Sequence, residues 1–142
     1  MRAVAEAAGV VWTGIERDPD CAAGNGRILT LDLVRDDPGP DFPPAGLVWC
    51  VEVLEHIPRD DWDRVMAWLK IGRYALLTVS DNPEPEGHVS PASEAEVIGW
   101  MAGHRWIPET VLTEGVRKSS TMRKDFVRKA GLVFFNPSRI HT

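Results

Sequence analysis

Gly46 to Val53 reads GLVWCVEV, an apolar run of strand length broken only by Glu52. Such a run fits a strand covered on both faces, the situation of a parallel sheet. A helix pattern follows over Asp60 to Lys70. Trp62, Val65, Met66 and Leu69 share one face of it, and Gly72 stands at its end. Tyr74 to Val79 (YALLTV) then reads as another strand. Strand, helix, strand in that order is how parallel neighbours are joined, so this stretch narrows the chain to the α/β class.

The rest of the sequence repeats the alternation. Met1 to Ala8 is alanine-rich and predicts a helix capped by Gly9. Val10 to Glu16 (VVWTGIE) predicts a strand that Arg17-Asp18-Pro19-Asp20 breaks, and Arg27 to Leu33 predicts a second. The prolines place loops over Asp36 to Pro44 and Asp81 to Gly87. A further helix opens with Ser90 as N-cap and Pro91 at the first helical position, buries Val97, Trp100 and Met101, and ends at Gly103. Trp106 to Leu112 and Phe126 to Phe135 read as two last strands around a polar loop, Gly115 to Lys124. Gly24-Asn25-Gly26 leads into a strand and reads as a turn.

At 142 residues the chain predicts a single domain spanning 1–142, long enough to bury a core. The longest apolar run falls short of the ~18 residues a membrane span needs, and the first residues lack a signal-peptide layout. Cys21 and Cys50 have no CxxC spacing, which points to a reduced, cytoplasmic setting. The net charge of -5 conceals an asymmetry. Acidic residues dominate Glu16 to Asp63, whereas Arg117, Lys118, Arg123, Lys124, Arg128, Lys129 and Arg139 face only Asp125 in the tail. A basic tail can meet phosphate or simply solvate a hairpin, and no aromatic residues interleave it in the manner of a nucleic-acid surface.

The chemistry concentrates in Leu47 to Pro58, LVWCVEVLEHIP. The strand delivers Glu52, Glu55 and His56 to its carboxyl end, where open α/β sheets bind ligands. If the chain turns helical after Val51, these three fall on one face. Two carboxylates and an imidazole can hold Mg²⁺, Mn²⁺, Fe²⁺ or Zn²⁺. Equally, either glutamate can cap a helix or pair with an arginine.

This block resembles the segment after the fourth strand of class I S-adenosylmethionine-dependent methyltransferases, where a D-x-V-x-x-x-E-V-L-E-H-I pattern recurs. The resemblance runs from about Val10 to Trp106 and implies a Rossmann-like, mostly parallel sheet of about six strands with flanking helices, its last strand antiparallel. It implies that S-adenosylmethionine is held by Glu16 through the ribose hydroxyls and by Asp32 with the adjoining Leu33 at the adenine, with Cys50 lining the same cleft. Within that superfamily the E-x-x-E-H spacing is shared with metal-using O-methyltransferases. This implies a divalent metal such as Mg²⁺ or Mn²⁺ on Glu52, Glu55, His56 and His88, and methyl transfer to a hydroxyl of a small molecule or an RNA.

The family's first strand and glycine-rich loop should precede Met1 and are missing, so the chain reads as a truncated form of the domain. Without that central strand, two strand edges need partners. Direct pairing of Val10–Glu16 with Gly46–Val53, or a homodimer, would supply them. The missing loop also opens a second function: a methyltransferase-derived protein that is catalytically inactive and acts by binding a protein partner.

Overall fold

The computed structural model describes residues 9–22 and 27–139. The helix expected over Met1–Ala8 and the turn at Gly24–Gly26 lie outside the described residues. The chain forms two compact units, Met1–Asp37 and Pro38–Thr142. Among the described residues no helix is long and apolar enough to cross a membrane.

In the first unit, β1 (Gly14–Glu16) and β2 (Ile28–Thr30) pair in parallel, Gly14 opposite Ile28 and Glu16 opposite Thr30. The short helix α1 (Pro19–Ala22) stands between them in sequence, its chain reversed by the Asp18-Pro19 break that the sequence marks. Both strands are shorter than their apolar runs, and before β1 Val10 and Val11 remain exposed instead of joining the ladder.

The second unit is built on a four-stranded sheet of order β3-β4-β6-β5. β3 (Ala45–Cys50) and β4 (Gly72–Leu77) are parallel, from Ala45 opposite Gly72 to Cys50 opposite Leu77. β6 (Leu132–Phe135) runs antiparallel to β4, and the two-residue β5 (Ile107–Pro108) runs antiparallel to β6. The six-stranded, mostly parallel Rossmann-like sheet is therefore not formed. Only β1–β2 and β3–β4 are parallel pairs, they belong to different sheets, and the antiparallel β6 takes the second side of β4. Direct pairing of the first strand with the third is likewise absent among the described residues. β3 lies at the end of its sheet with Leu47 and Trp49 exposed, so its apolar character does not reflect cover on both faces.

The core lies around β4, β6 and α2 (Trp62–Leu69), where Ala75, Leu77 and Phe134 meet no solvent. The predicted face of α2 is the buried one: Trp62, Val65, Met66 and Leu69 are all closed off. Burying such a face removes roughly 1.5–3 kcal/mol worth of apolar surface from water per large side chain.

The next helix, α3 (Glu94–Gly103), starts later than Ser90-Pro91 implies. Ser93 and Glu96 form a reciprocal capping box there, Glu96 N–H to Ser93 Oγ at 3.3 Å and Ser93 N–H to Glu96 Oε2 at 2.8 Å. Ser90 is instead buried, its N–H given to a carbonyl across the fold.

The two last expected strands are largely helix. Trp106–Leu112 contributes only β5 before α4 (Thr110–Ser119), and Phe126–Phe135 divides into α5 (Phe126–Ala130) and β6. The expected polar loop is half absorbed by α4. Tertiary ties outweigh the β-branched propensity here. Thr113 Oγ1 accepts the Val133 N–H at 2.9 Å, and Arg117 bonds Gly131 O at 2.8 Å and Glu94 Oε1 at 2.6 Å.

Candidate metal centre

The carboxyl end of β3 leads into a tight turn rather than a helix. Cys50 closes the strand, buried, and its carbonyl accepts the Thr78 N–H at 3.3 Å. Glu52 then takes a left-handed backbone, φ +58, which a non-glycine residue adopts only when its surroundings hold it there. Thr78, fully buried after β4, supplies the hold. Its Oγ1 accepts the Glu52 N–H at 2.8 Å, and its hydroxyl donates to Glu52 Oε1 at 3.2 Å. A single 3-10 turn follows, Leu54–His56, pinned by the Trp62 indole N–H, which reaches the carbonyls of Leu54 and Ile57 at 3.1 Å each. Glu52, Glu55 and His56 thus do not line one helix face.

What the turn does is bury Glu55, 2% exposed, with both carboxylate oxygens lacking a hydrogen-bond partner. A carboxylate in that position costs several kcal/mol unless a charge or donor meets it. Its own main chain is well anchored: the Glu55 carbonyl accepts the N–H groups of Val89 at 2.9 Å and Ser90 at 3.1 Å. That zipper draws the 81–90 loop over the turn and brings His88 to the site. Ligand atoms of Glu55, His56 and His88 lie within 4.8 Å of one another, and the two imidazoles meet edge to face with centroids 4.9 Å apart.

Both rings are oriented by carbonyls. His56 Nδ1 lies 3.0 Å from Gly87 O and His88 Nδ1 lies 2.8 Å from Asn82 O. A carbonyl only accepts, so these contacts place the proton on Nδ1 and leave the Nε2 lone pair of each ring for a metal. Gly87 is needed for the arrangement. Its φ of +88 suits glycine, and a Cβ there would stand 3.2 Å from His56 Nδ1.

Glu52 lies beside this group. Burial raises its carboxyl above the ordinary range, the neighbouring Glu55 charge raises it further, and the Thr78 hydroxyl opposes them. Burial, with the Glu55 charge behind it, also pushes the Cys50 thiol up to about 12. The group Glu55, His56 and His88 could hold a metal ion.

The cofactor residues expected from the sequence lie in the first unit, Cys50 excepted. Glu16 ends β1, and Asp32 follows β2 at the same carboxyl edge of the parallel pair, with Leu33 half-buried after it. Both carboxylates close local turns: Glu16 Oε1 accepts the Asp18 N–H at 3.0 Å and Asp32 Oδ1 the Val34 N–H at 2.9 Å.

Thr78 is the residue that sequence reasoning did not single out. Its only signal is its place at the end of the YALLTV strand, level with Cys50 and Glu52.

The chain matches no known protein family, no curated protein and no solved structure.

Proposed function

We propose that this protein binds a divalent metal through Glu55, His56 and His88, with Glu52 as the adjoining carboxylate, and uses it on a hydroxyl-bearing acceptor. The orphaned, buried carboxylate of Glu55 carries this reading. A cation suits it, because the ligand atoms of His56 and His88 lie within 4.8 Å of it and of each other. Two imidazoles among the donors favour Mn²⁺, Fe²⁺ or Zn²⁺ over Mg²⁺, which prefers oxygen and retains its waters. A metal bound there would lower the pKa of a coordinated hydroxyl. Glu55 and the histidines would position it, and the Glu52 carboxylate, whose affinity for a proton burial raises, would take up the proton released.

Methyl transfer from S-adenosylmethionine is the reaction that the sequence resemblance attaches to such a centre, and we propose it as the activity. Glu16 and Asp32, on one edge of a parallel pair, support it. That both carboxylates close local turns favours a second reading, in which the centre persists without the methyl donor and the protein acts by binding a partner.

Calorimetric titration of the metal-free protein with Mn²⁺ and Zn²⁺ tests the centre. Glu55→Gln and His88→Ala are each expected to weaken binding by at least about tenfold. Unchanged affinity in both variants overturns the site. Titration of the metal-loaded protein with S-adenosylmethionine then separates the readings: no heat at millimolar ligand removes methyl transfer and leaves the metal centre standing.

A further inference from the structure

A second feature of the larger unit shares no residue with the metal centre. Helices α2 and α3 end side by side with the strand exit after β6, and between them lies a cleft of about 550 Å³. That volume lies in the range of small-molecule sites. Lys70, His104, Arg105, Trp106, Asn136 and Ser138 line it, and no carboxylate does. In a chain with 21 acidic and 16 basic side chains, this is a local reversal of charge.

Cations at helix C-termini often serve only to meet the last carbonyls and the helix dipole. Here other groups already meet them. The Lys70 carbonyl accepts Arg139 Nε at 3.0 Å, and the carbonyls of Trp100, Met101 and Ala102 accept the main-chain N–H groups of His104, Trp106 and Arg105 at 3.3, 3.0 and 2.9 Å. The Lys70 ammonium and the Arg105 guanidinium are left without an ion pair among the described residues. Arg105 adopts a left-handed backbone, φ +65, that sets it at the rim. Trp106 lines the cleft, 3% exposed, and its indole N–H makes no hydrogen bond among the described residues. His104 is fixed from its other side, its Nε2 2.9 Å from Asp63 Oδ1. Asn136 and Ser138 are locked to each other, Ser138 Oγ donating to Asn136 Oδ1 at 2.6 Å.

We propose that this cleft binds the phosphate group of a small phosphorylated molecule. Lys70 and Arg105 supply the charge, the Trp106 indole N–H supplies a fixed donor, and the remaining volume takes the organic part. Guanidinium and ammonium groups bond phosphate strongly, although Asp63 beside His104 already feels the Lys70 charge, and an indole N–H without a partner adds a directional donor.

The test is an NMR titration of the full metal-free chain, following the Trp106 indole N–H. The probes are adenosine 5′-monophosphate, adenosine and inorganic phosphate. Saturable movement with the monophosphate, absent with adenosine, is expected. Affinity at least about tenfold above that of inorganic phosphate assigns the cleft to phosphorylated molecules, and equal affinity assigns it to the free anion. Arg105→Gly removes the guanidinium at a position whose backbone suits glycine, and Lys70→Met removes an exposed charge. Each is expected to weaken binding about tenfold or more, whereas His88→Ala is expected to leave it unchanged. No saturation by about 10 mM, a response matched by sodium chloride at equal ionic strength, or equal affinity in Arg105→Gly and Lys70→Met overturns the proposal.

Discussion

Thr78 does two jobs with one hydroxyl. It accepts the main-chain N–H that holds Glu52 in a left-handed conformation, and it donates to the Glu52 carboxylate. Thr78→Val keeps the shape and removes both bonds. The expected result is a metal affinity about tenfold weaker, measured by calorimetry, since partners that orient a ligand typically matter by that factor. Thr78→Ser, which retains the hydroxyl, is expected to recover most of it. The two thiols should also separate cleanly. Cys21 is exposed while Cys50 is buried and held protonated to about pH 12. In the native protein a thiol reagent at pH 8 is expected to label Cys21 alone, and Cys50 only after unfolding. Glu52, Glu55, His56 and His88 were all legible in the sequence as candidate ligands. Thr78 was not, because an ordinary threonine in an apolar strand shows its role only when the strand end is set against another turn.

At the scale of elements, the capping box of α3 and the tie between α2 and α3 are open to test. Ser93→Ala removes one half of the box and is expected to cost about 1 kcal/mol in denaturant unfolding. Asp63, near the start of α2, accepts the Trp100 indole N–H at 3.0 Å and the His104 imidazole at 2.9 Å. These donors, Trp100 first, hold its carboxyl below the ordinary 3.8. A lowered carboxyl stabilises the fold above its unfolded pKa and loses that contribution as pH falls through the folded value. The stability difference between wild type and Asp63→Asn is therefore expected to be full well above pH 3.8 and to shrink as pH falls below it. Tryptophan fluorescence across an acid titration reads it.

The helix α2 was plain in the sequence, because a face of Trp62, Val65, Met66 and Leu69 has one period and one burial solution. The start of α3 was misplaced, because Ser90-Pro91 and Ser93-x-x-Glu96 both resemble N-termini, and only the reciprocal bonds decide between them. The helix α4 reads as a strand end running into a loop and α5 as the start of a strand, because Val111 and Val127 favour strand locally while contacts from distant parts of the chain fix the helices.

For the molecule as a whole, a ligand that binds the folded form alone stabilises it by mass action. At a metal concentration of about a hundred times the dissociation constant, the gain is about 2.7 kcal/mol. Thermal unfolding is expected to shift upward with Mn²⁺ or Zn²⁺ in wild type and to stay fixed in His88→Ala. The α/β class followed from alternating strand and helix signals, but the sheet did not. Strand order is set by which edges meet across long sequence separations, and nothing local in Leu132–Phe135 says that it will lie antiparallel against β4.

The bonds from Val89 and Ser90 to the Glu55 carbonyl fasten the ligand loop by main-chain contacts that need no ion. Such a receptacle is assembled before its guest arrives, unlike a zinc finger, whose cation must fold its own holder. Chelators should therefore strip it without unravelling the chain. If the proposed centre holds an ion, one ion could replace another on the same scaffold, and its occupant would follow supply as much as preference.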